Sequence, residues 1–375
     1  MQFGGGRSPG LRWLPRLALT CLVLAAIATV AVRGTGHQSL QSATTPHSLP
    51  SLRVITVGHP LLGETAGWEL FARGPDDLLR VQLAKGKVSV TYVPPLGTAN
   101  PNVAFVIGAH EAVIRSTDLV PAYVVPDGAQ ARLLTGPLAG FGPLVPGPAR
   151  AQAAWVSTGS PASPALSLVT LAGRLPGPKI RFAPGGPQLP ATAVSDGRGY
   201  VLVTTGSFSA YDAGPGWDRP VPGTVVAVGP TAWLVLTCDP PDRHCRNEVV
   251  DVSDGVRRSL PGPAPASPYS YSYDFSLWPP TGVVAPDGGT AAVAETGRDG
   301  DVTVHLINLR TGASRNLRIP LGADFNNQSM VWSPDSRWLF VAAAAGKLVT
   351  VDASTGRAER LHVPLPAVAQ VAIRT

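Results

Sequence analysis

Met330-Val-Trp-Ser-Pro-Asp-Ser-Arg-Trp-Leu-Phe-Val-Ala342, followed by Leu348-Val-Thr-Val-Asp352, Ala-Ser-Thr-Gly356 and Arg360-Leu-His-Val363, decides the fold. Its apolar runs are three to five residues long, rich in Val, Leu and aromatics, and divided by Pro, Asp, Ser and Gly, which is strand punctuation and not helical periodicity. Met330–Ser333 reads as an inner strand and Pro334-Asp335-Ser336 as a turn. Leu339–Ala342 and Leu348–Asp352 read as second and third strands, with Arg360–Val363 outermost. Proline presets φ in such a turn and aspartate caps neighbouring amides. Similar turns stand at Ser195-Asp196-Gly197 and Pro286-Asp287-Gly288.

The same unit recurs along the chain. A strand-like run ending at glycine, with an alternating run after it, occurs at Gly86, Gly128, Gly173, Gly214, Gly255, Gly312 and Gly356, at intervals of 42, 45, 41, 41, 57 and 44 residues. A period of about 40 to 45 residues belongs to four-stranded blades arranged in a ring. A second marker keeps the register: Trp68, Trp155 and Trp338 each lie 18 residues before their glycine, Tyr200 lies 14 before and Trp233 22 before. Radially packed sheets need large side chains between them, so these aromatics read as core. The fold class expected is all-β, a seven-bladed β-propeller of four-stranded antiparallel blades, preceded by an N-terminal transmembrane helix. Either Leu52–Val57 or Val368–Ile373 completes the first blade and closes the ring, which removes a sheet edge.

The Ser-Pro-Asp turn with the Asp-x-x-Thr-Gly hairpin resembles the WD40-like repeat of TolB-type propellers, best from Val283 to Pro364. That resemblance implies a propeller and often a protein-interaction role. It brings no catalytic residues.

Leu17–Val32 is uncharged and preceded by Arg7, Arg12 and Arg16, so residues 17–33 are expected to anchor the chain, with 1–16 as a cytoplasmic basic tail. Ala26-Ile27-Ala28 gives cleavage as a signal peptide as the alternative. Residues 34–51, rich in Ser, Thr, Gln and His, read as a solvated linker, and 52–375 as the folded domain, placed outside the cell membrane. The charge of +6 comes from 26 arginines and four lysines scattered among turns. No basic face for nucleic acid follows. Arginine over lysine, with abundant Ala, Gly and Pro, is the coding bias of GC-rich genomes such as those of actinobacteria.

Two features depart from the repeat. Residues 261–280 lengthen one link and hold Tyr269, Tyr271, Tyr273, Phe275 and Trp278, whose odd positions share one side of an extended segment. Cys238 and Cys245 flank a six-residue hairpin that includes Arg243 and His244, with Arg246 just after it. In an oxidising compartment such a pair favours a disulfide, and two cysteines with one histidine fall short of a four-ligand metal site. In a four-strand meander the second-to-third hairpin and the link to the next blade emerge at the same end, which makes the hairpin and the aromatic segment neighbours. Aromatics mixed with arginine are typical of binding hot spots; a loop folded down to plug the channel is the alternative.

Gly6-Arg-Ser-Pro-Gly10 has the letters of a nucleophile elbow but precedes the apolar segment, where the required strand-turn-helix has no place. The seven histidines, His305 among them, show no metal spacing, and no cofactor or metal is expected. The reading is a membrane-tethered binding scaffold for an envelope protein or ligand. The alternative is a propeller hydrolase or lyase acting on an envelope carbohydrate or lactone through carboxylates gathered from distant blades.

Overall fold

The computed structural model describes residues 52–94, 103–116, 122–139, 144–148, 152–158, 165–172, 174, 177–182, 192–205, 209–238, 245–262, 282–297, 299–322 and 325–375. Residues 1–51, with the anchor expected over 17–33, and the aromatics Tyr269, Tyr271, Tyr273, Phe275 and Trp278 lie outside them. Among the described residues no helix is long and apolar enough to cross a membrane.

Strands of two to seven residues form antiparallel meanders, in which each strand pairs with the next in sequence. The last sheet follows the quoted stretch closely: Met330–Trp332, Trp338–Ala343 and Lys347–Asp352 are its first three strands. Its outer strand is Arg357–Glu359 and not Arg360–Val363, because the Thr355-Gly356 turn is tight enough for pairing to start immediately, Asp352 against Arg357. The repeat glycines mark these third-to-fourth turns. Gly86, Gly128, Gly255, Gly312 and Gly356 all have positive φ, a conformation a side chain disfavours. At Gly312 a Cβ would also lie 1.7 Å from the carbonyl oxygen of Pro261.

The sheets are arranged as a closed ring. Each shares an apolar layer with the next, and the last, through Trp338, Phe340 and Ala342, packs on Trp68, Leu70 and Val371 of the first. Trp155, Trp233 and Trp338 are fully buried in these layers, as the register of aromatics requires. Their indole N–H groups reach the neighbouring sheet: Trp155 Nε1 donates to Gly199 O at 2.6 Å and Trp338 Nε1 to Glu64 Oε1 at 2.7 Å.

The two segments that compete in sequence for the first blade both belong to it. Gln370–Arg374 pairs with Glu69–Arg73 as the innermost strand, and Leu52–Thr56 pairs with Lys87–Tyr92 as a fifth, outermost one. The ring is therefore closed by hydrogen bonds between the two ends of the described chain.

Seven separate blades are not what forms. Five sheets stand as separate blades, four of four strands and the closing one of five. The strands of Thr224–Leu260 and Gly282–Pro320 instead join in one eight-stranded sheet. The join is a short parallel pairing of innermost strands, Ala227 with Gly282 and Val228 with Val283. Gly282 permits it: a Cβ there would lie 2.7 Å from the Ala227 Cβ and 2.7 Å from Val226 O, so any side chain would push the two strands apart.

Candidate functional site

The eight-stranded sheet carries the disulfide expected from sequence. Ala232–Cys238 and Cys245–Asp251 pair antiparallel from Ala232–Asp251 to Cys238–Cys245, and the two cysteines, facing each other at the tip, are bonded with their Cα atoms 4.0 Å apart. Arg246 follows directly, with its Nε 3.0 Å from Glu248 Oε1. Arg257 reaches Glu248 Oε2 at 2.8 Å, and the Thr237 hydroxyl donates to the same oxygen at 3.1 Å. Burial opposes ionisation of Glu248, but Arg246, Arg257 and Thr237 together hold its carboxyl below the ordinary value. Of the binding residues expected from sequence, Arg246 is thus placed at the base of the stapled hairpin. Arg243, His244, Tyr269, Tyr271, Tyr273, Phe275 and Trp278 lie outside the described residues.

The facing half of the sheet adds residues the sequence reading passed over. Along Thr290–Thr296 and Val302–Asn308, Ala291, Val293 and Ile307 enter the apolar layer shared with Leu234, Val249 and Leu260. Period-two alternation carries that face on through Glu295, Thr303 and His305 toward the hairpin end. His305 Nδ1 meets the Glu295 carboxylate, and its Nε2 lies 3.3 Å from the Thr303 hydroxyl. In the tautomer that donates Nδ1–H to Glu295, Nε2 accepts from the Thr303 hydroxyl. The result is a hydroxyl, an imidazole and a carboxylate in series, half-buried, on the face of the sheet toward its hairpin end. Pairing with the next strand also shifts register between Thr303 and His305, an irregularity of the kind that re-aims side chains beside sites. The signal was in the alternation of Val302-Thr-Val-His-Leu-Ile307, which puts Thr303 and His305 on one face.

Two further charged centres lie at the opposite end of the ring, where the first-to-second turns are. In the closing sheet, Glu69 accepts from Arg80 Nε at 2.9 Å, Arg80 Nη2 at 2.7 Å, Gln82 at 2.6 Å and Arg374 Nε at 2.9 Å. Arg374 continues to Asp127 at 2.7 and 3.0 Å. Burial works against the Glu69 carboxylate, and the donors overcome it, bringing its pKa down to about 2.

The sheet of Thr192–Pro222 holds the second centre. Gly197 and Gly199, both at positive φ, let the Asp196–Gly199 turn wedge between its neighbours. Added Cβ atoms would meet Gly229 and Pro230 at 2.5 Å on one side and Pro148 at 2.3 Å on the other. Arg198 on that turn donates its Nε to Asp196 at 2.7 Å and pairs with Asp212. Arg219 Nη2 lies 3.2 Å from Asp212. Burial, and then the neighbouring Asp196 carboxylate, push Asp212 up to about 6 against the pull of Arg198 and Arg219. These are the converging carboxylates a propeller hydrolase would need. Both are sealed off at 0% exposure and paired with Arg198. Among the described residues no group of three or more His, Cys, Asp or Glu side chains is placed to hold a metal ion.

No protein family matches the chain by sequence, and no curated protein matches it. Solved structures do. A prolyl endopeptidase is similar at 14% identity and TM-score 0.50 over 87% of this chain and 50% of that one. The fold is a β-propeller. TolB from Acinetobacter baumannii is similar at 13% identity and TM-score 0.41 over 80% of this chain, which spans 64% of TolB's length. An oligogalacturonate lyase solved with manganese is similar at 11% identity and TM-score 0.47, over 80% of this chain and 90% of that one. At these identities the likeness concerns the fold alone, and function rests on the site.

Proposed function

We propose that the protein is a binding propeller, held on the outer face of the cell membrane by residues 17–33, that captures an envelope protein partner at the hairpin end of the eight-stranded sheet. The observation that supports this best is the Cys238–Cys245 disulfide: it joins the two strands at one hairpin end, and such a bond suits an oxidising compartment. A loop presented by a rigid scaffold is the usual seat of recognition. In this reading Tyr271, Tyr273 and Trp278 supply contact area, and Arg243, His244 and Arg246 supply polar contacts. Replacing Tyr271, Tyr273 and Trp278 together with Ala is expected to abolish in-envelope crosslinking to the partner while leaving the melting temperature within about 2 °C. Unchanged crosslinking, or a large loss of stability, contradicts the reading.

A hydrolytic reading is favoured by one observation, the series Thr303, His305 and Glu295. A hydroxyl held by an imidazole that a carboxylate orients is the order of an activated nucleophile. In that reading His305→Ala removes hydrolysis of a simple lactone or ester by the purified full-length chain; equal turnover by the variant rules the reading out.

A further inference from the structure

Arg73 ends the second strand of the closing sheet, directly opposite Gln370 at the start of the innermost one. It is 9% exposed. Its Nε donates to Gln370 Oε1 at 2.5 Å and its Nη1 to Gly74 O at 3.0 Å. Among the described residues no carboxylate lies within ion-pair reach of it, and Nη2 meets no acceptor. Nη2 is not among the sealed, unsatisfied polar atoms, so this corner of the guanidinium still meets solvent. Burial without an anion pulls the Arg73 pKa down to about 10. A buried cation is ordinarily paired, because desolvation is costly and a nearby carboxylate offsets it.

The surroundings are built of carboxamides. Gln370 Nε2 lies 3.2 Å from Gln328 Oε1 and 3.4 Å from Asn326 Oδ1. The Gln328 backbone carbonyl receives Val371 N of the closing sheet at 2.7 Å, and its side chain reaches past that sheet to the following one, Nε2 donating to Phe105 O at 2.7 Å while Phe105 N donates to Oε1 at 3.3 Å. These residues sit where the innermost strands Gln370–Arg374 and Met330–Trp332 begin, which is the hairpin end of the ring near its axis. Gly74 packs so closely that a Cβ would lie 2.4 Å from Ala367 O, which holds the Arg73 backbone in place. The site is therefore pre-formed and singly cationic, and the groups that hydrogen-bond Arg73 and Gln370 there are neutral carboxamides and a backbone carbonyl.

We propose that Arg73, framed by Gln370, Gln328 and Asn326, is a binding site for a carboxylate group at the hairpin end of the ring. One guanidinium corner with neutral amide neighbours matches a monoanion, and a planar carboxylate suits the fork of an arginine; a phosphate dianion would lack a second cation. The carboxylate comes from a small organic acid or from the C-terminus of a peptide. The site stands independently of the hairpin and link residues.

The test is titration calorimetry on the full-length protein with propionate, with inorganic phosphate at matched ionic strength, and with a pentapeptide in free-acid and C-terminally amidated forms. Saturable binding of propionate or of the free-acid peptide, weakened at least about tenfold in Arg73→Gln and unchanged in Arg310→Ala, is expected. Propionate binding with no gain for the peptide assigns a small acid; tighter binding of the free-acid peptide than of propionate or the amide assigns a C-terminus. No saturable binding by the wild type, equal binding by Arg73→Gln, or phosphate bound more tightly than propionate overturns the proposal. Should Arg73→Gln fail to fold, the Arg73 Nε–H resonance of the wild-type protein provides the readout: it shifts on propionate addition if the site exists and stays still if Arg73 is only a pin between two strands.

Discussion

At the end of the ring where first-to-second turns lie, Glu69, Arg80, Arg374 and Asp127 form one closed network, and Asp196, Arg198, Asp212 and Arg219 form another. Each pairs two carboxylates with two guanidiniums. At the opposite end Arg73 is buried with no carboxylate among the described residues in ion-pair reach, and a disulfide holds a hairpin whose base carries Arg246 and Glu248. A charge-balanced cluster buried between sheets offers a partner little, even though Asp212 Oδ1 lacks a hydrogen bond among the described residues, and its work is to lock turns between sheets. An unneutralised cation and a covalently fixed hairpin have capacity to spare. On that difference rests the proposal of a structural role at one end of the propeller and recognition at the other.

The largest effect that can break this comparison is on stability. Arg198→Ala leaves Asp196 and Asp212 buried against each other without their bridging cation. It should cost about 3–5 kcal/mol in urea denaturation, as removal of one partner from a buried pair does. Arg73→Ala removes a cation that has no counter-charge and should cost about 1–2 kcal/mol for the two carbonyls left unmet. Equal losses would show that the two ends handle charge alike.

Next in size is the staple. Cys238→Ser with Cys245→Ser should lower stability by about 2 kcal/mol, the scale for closing a short loop. The same change should weaken partner capture, since the hairpin tip loses its fixed geometry.

The smallest effects concern pH, and they distinguish the two closed networks from each other. Glu69 has many donors and a folded pKa of about 2, below its ordinary 4.5. Its contribution is fully present above about pH 4.5 and is lost as pH falls toward 2. Asp212 is raised from 3.8 to about 6. The native state then holds the proton more tightly than the unfolded chain, so its contribution is greatest below about pH 4 and declines as pH rises to about 6. Asp212→Asn should flatten the stability profile between pH 4 and 6, and Glu69→Gln should flatten it below pH 4.5, each followed by thermal melting across pH. Matching slopes in the wild type and either variant would remove that carboxylate from the account.

The ring was legible because its markers are local. The Ser333-Pro-Asp335 turn, the Asp352-to-Gly356 hairpin and the tryptophans each act through the backbone or through bulk within a few residues. The Cys238/Cys245 pair was legible for the same reason, with only six residues between its members. What escaped depends on approach between distant segments. The join of two blades rests on Gly282 admitting Ala227, and glycine in a link carries many meanings in sequence. Arg73, Gln370 and Gln328 come together only because the last strand returns to the first sheet, almost 300 residues away. Thr303, His305 and Glu295 lie on adjacent strands, but only the register between those strands puts the three side chains in series.

The division into a recognition end and a structural end is tested most directly by reversing one charge at each. Arg246→Glu lies beside the stapled hairpin, and Arg310→Glu lies on an exposed third-to-fourth turn of the same sheet. In crosslinking of the full-length chain in its native envelope, Arg246→Glu is expected to lose the captured partner while Arg310→Glu retains it at the wild-type level. Loss of capture in Arg310→Glu with retention in Arg246→Glu would contradict the account.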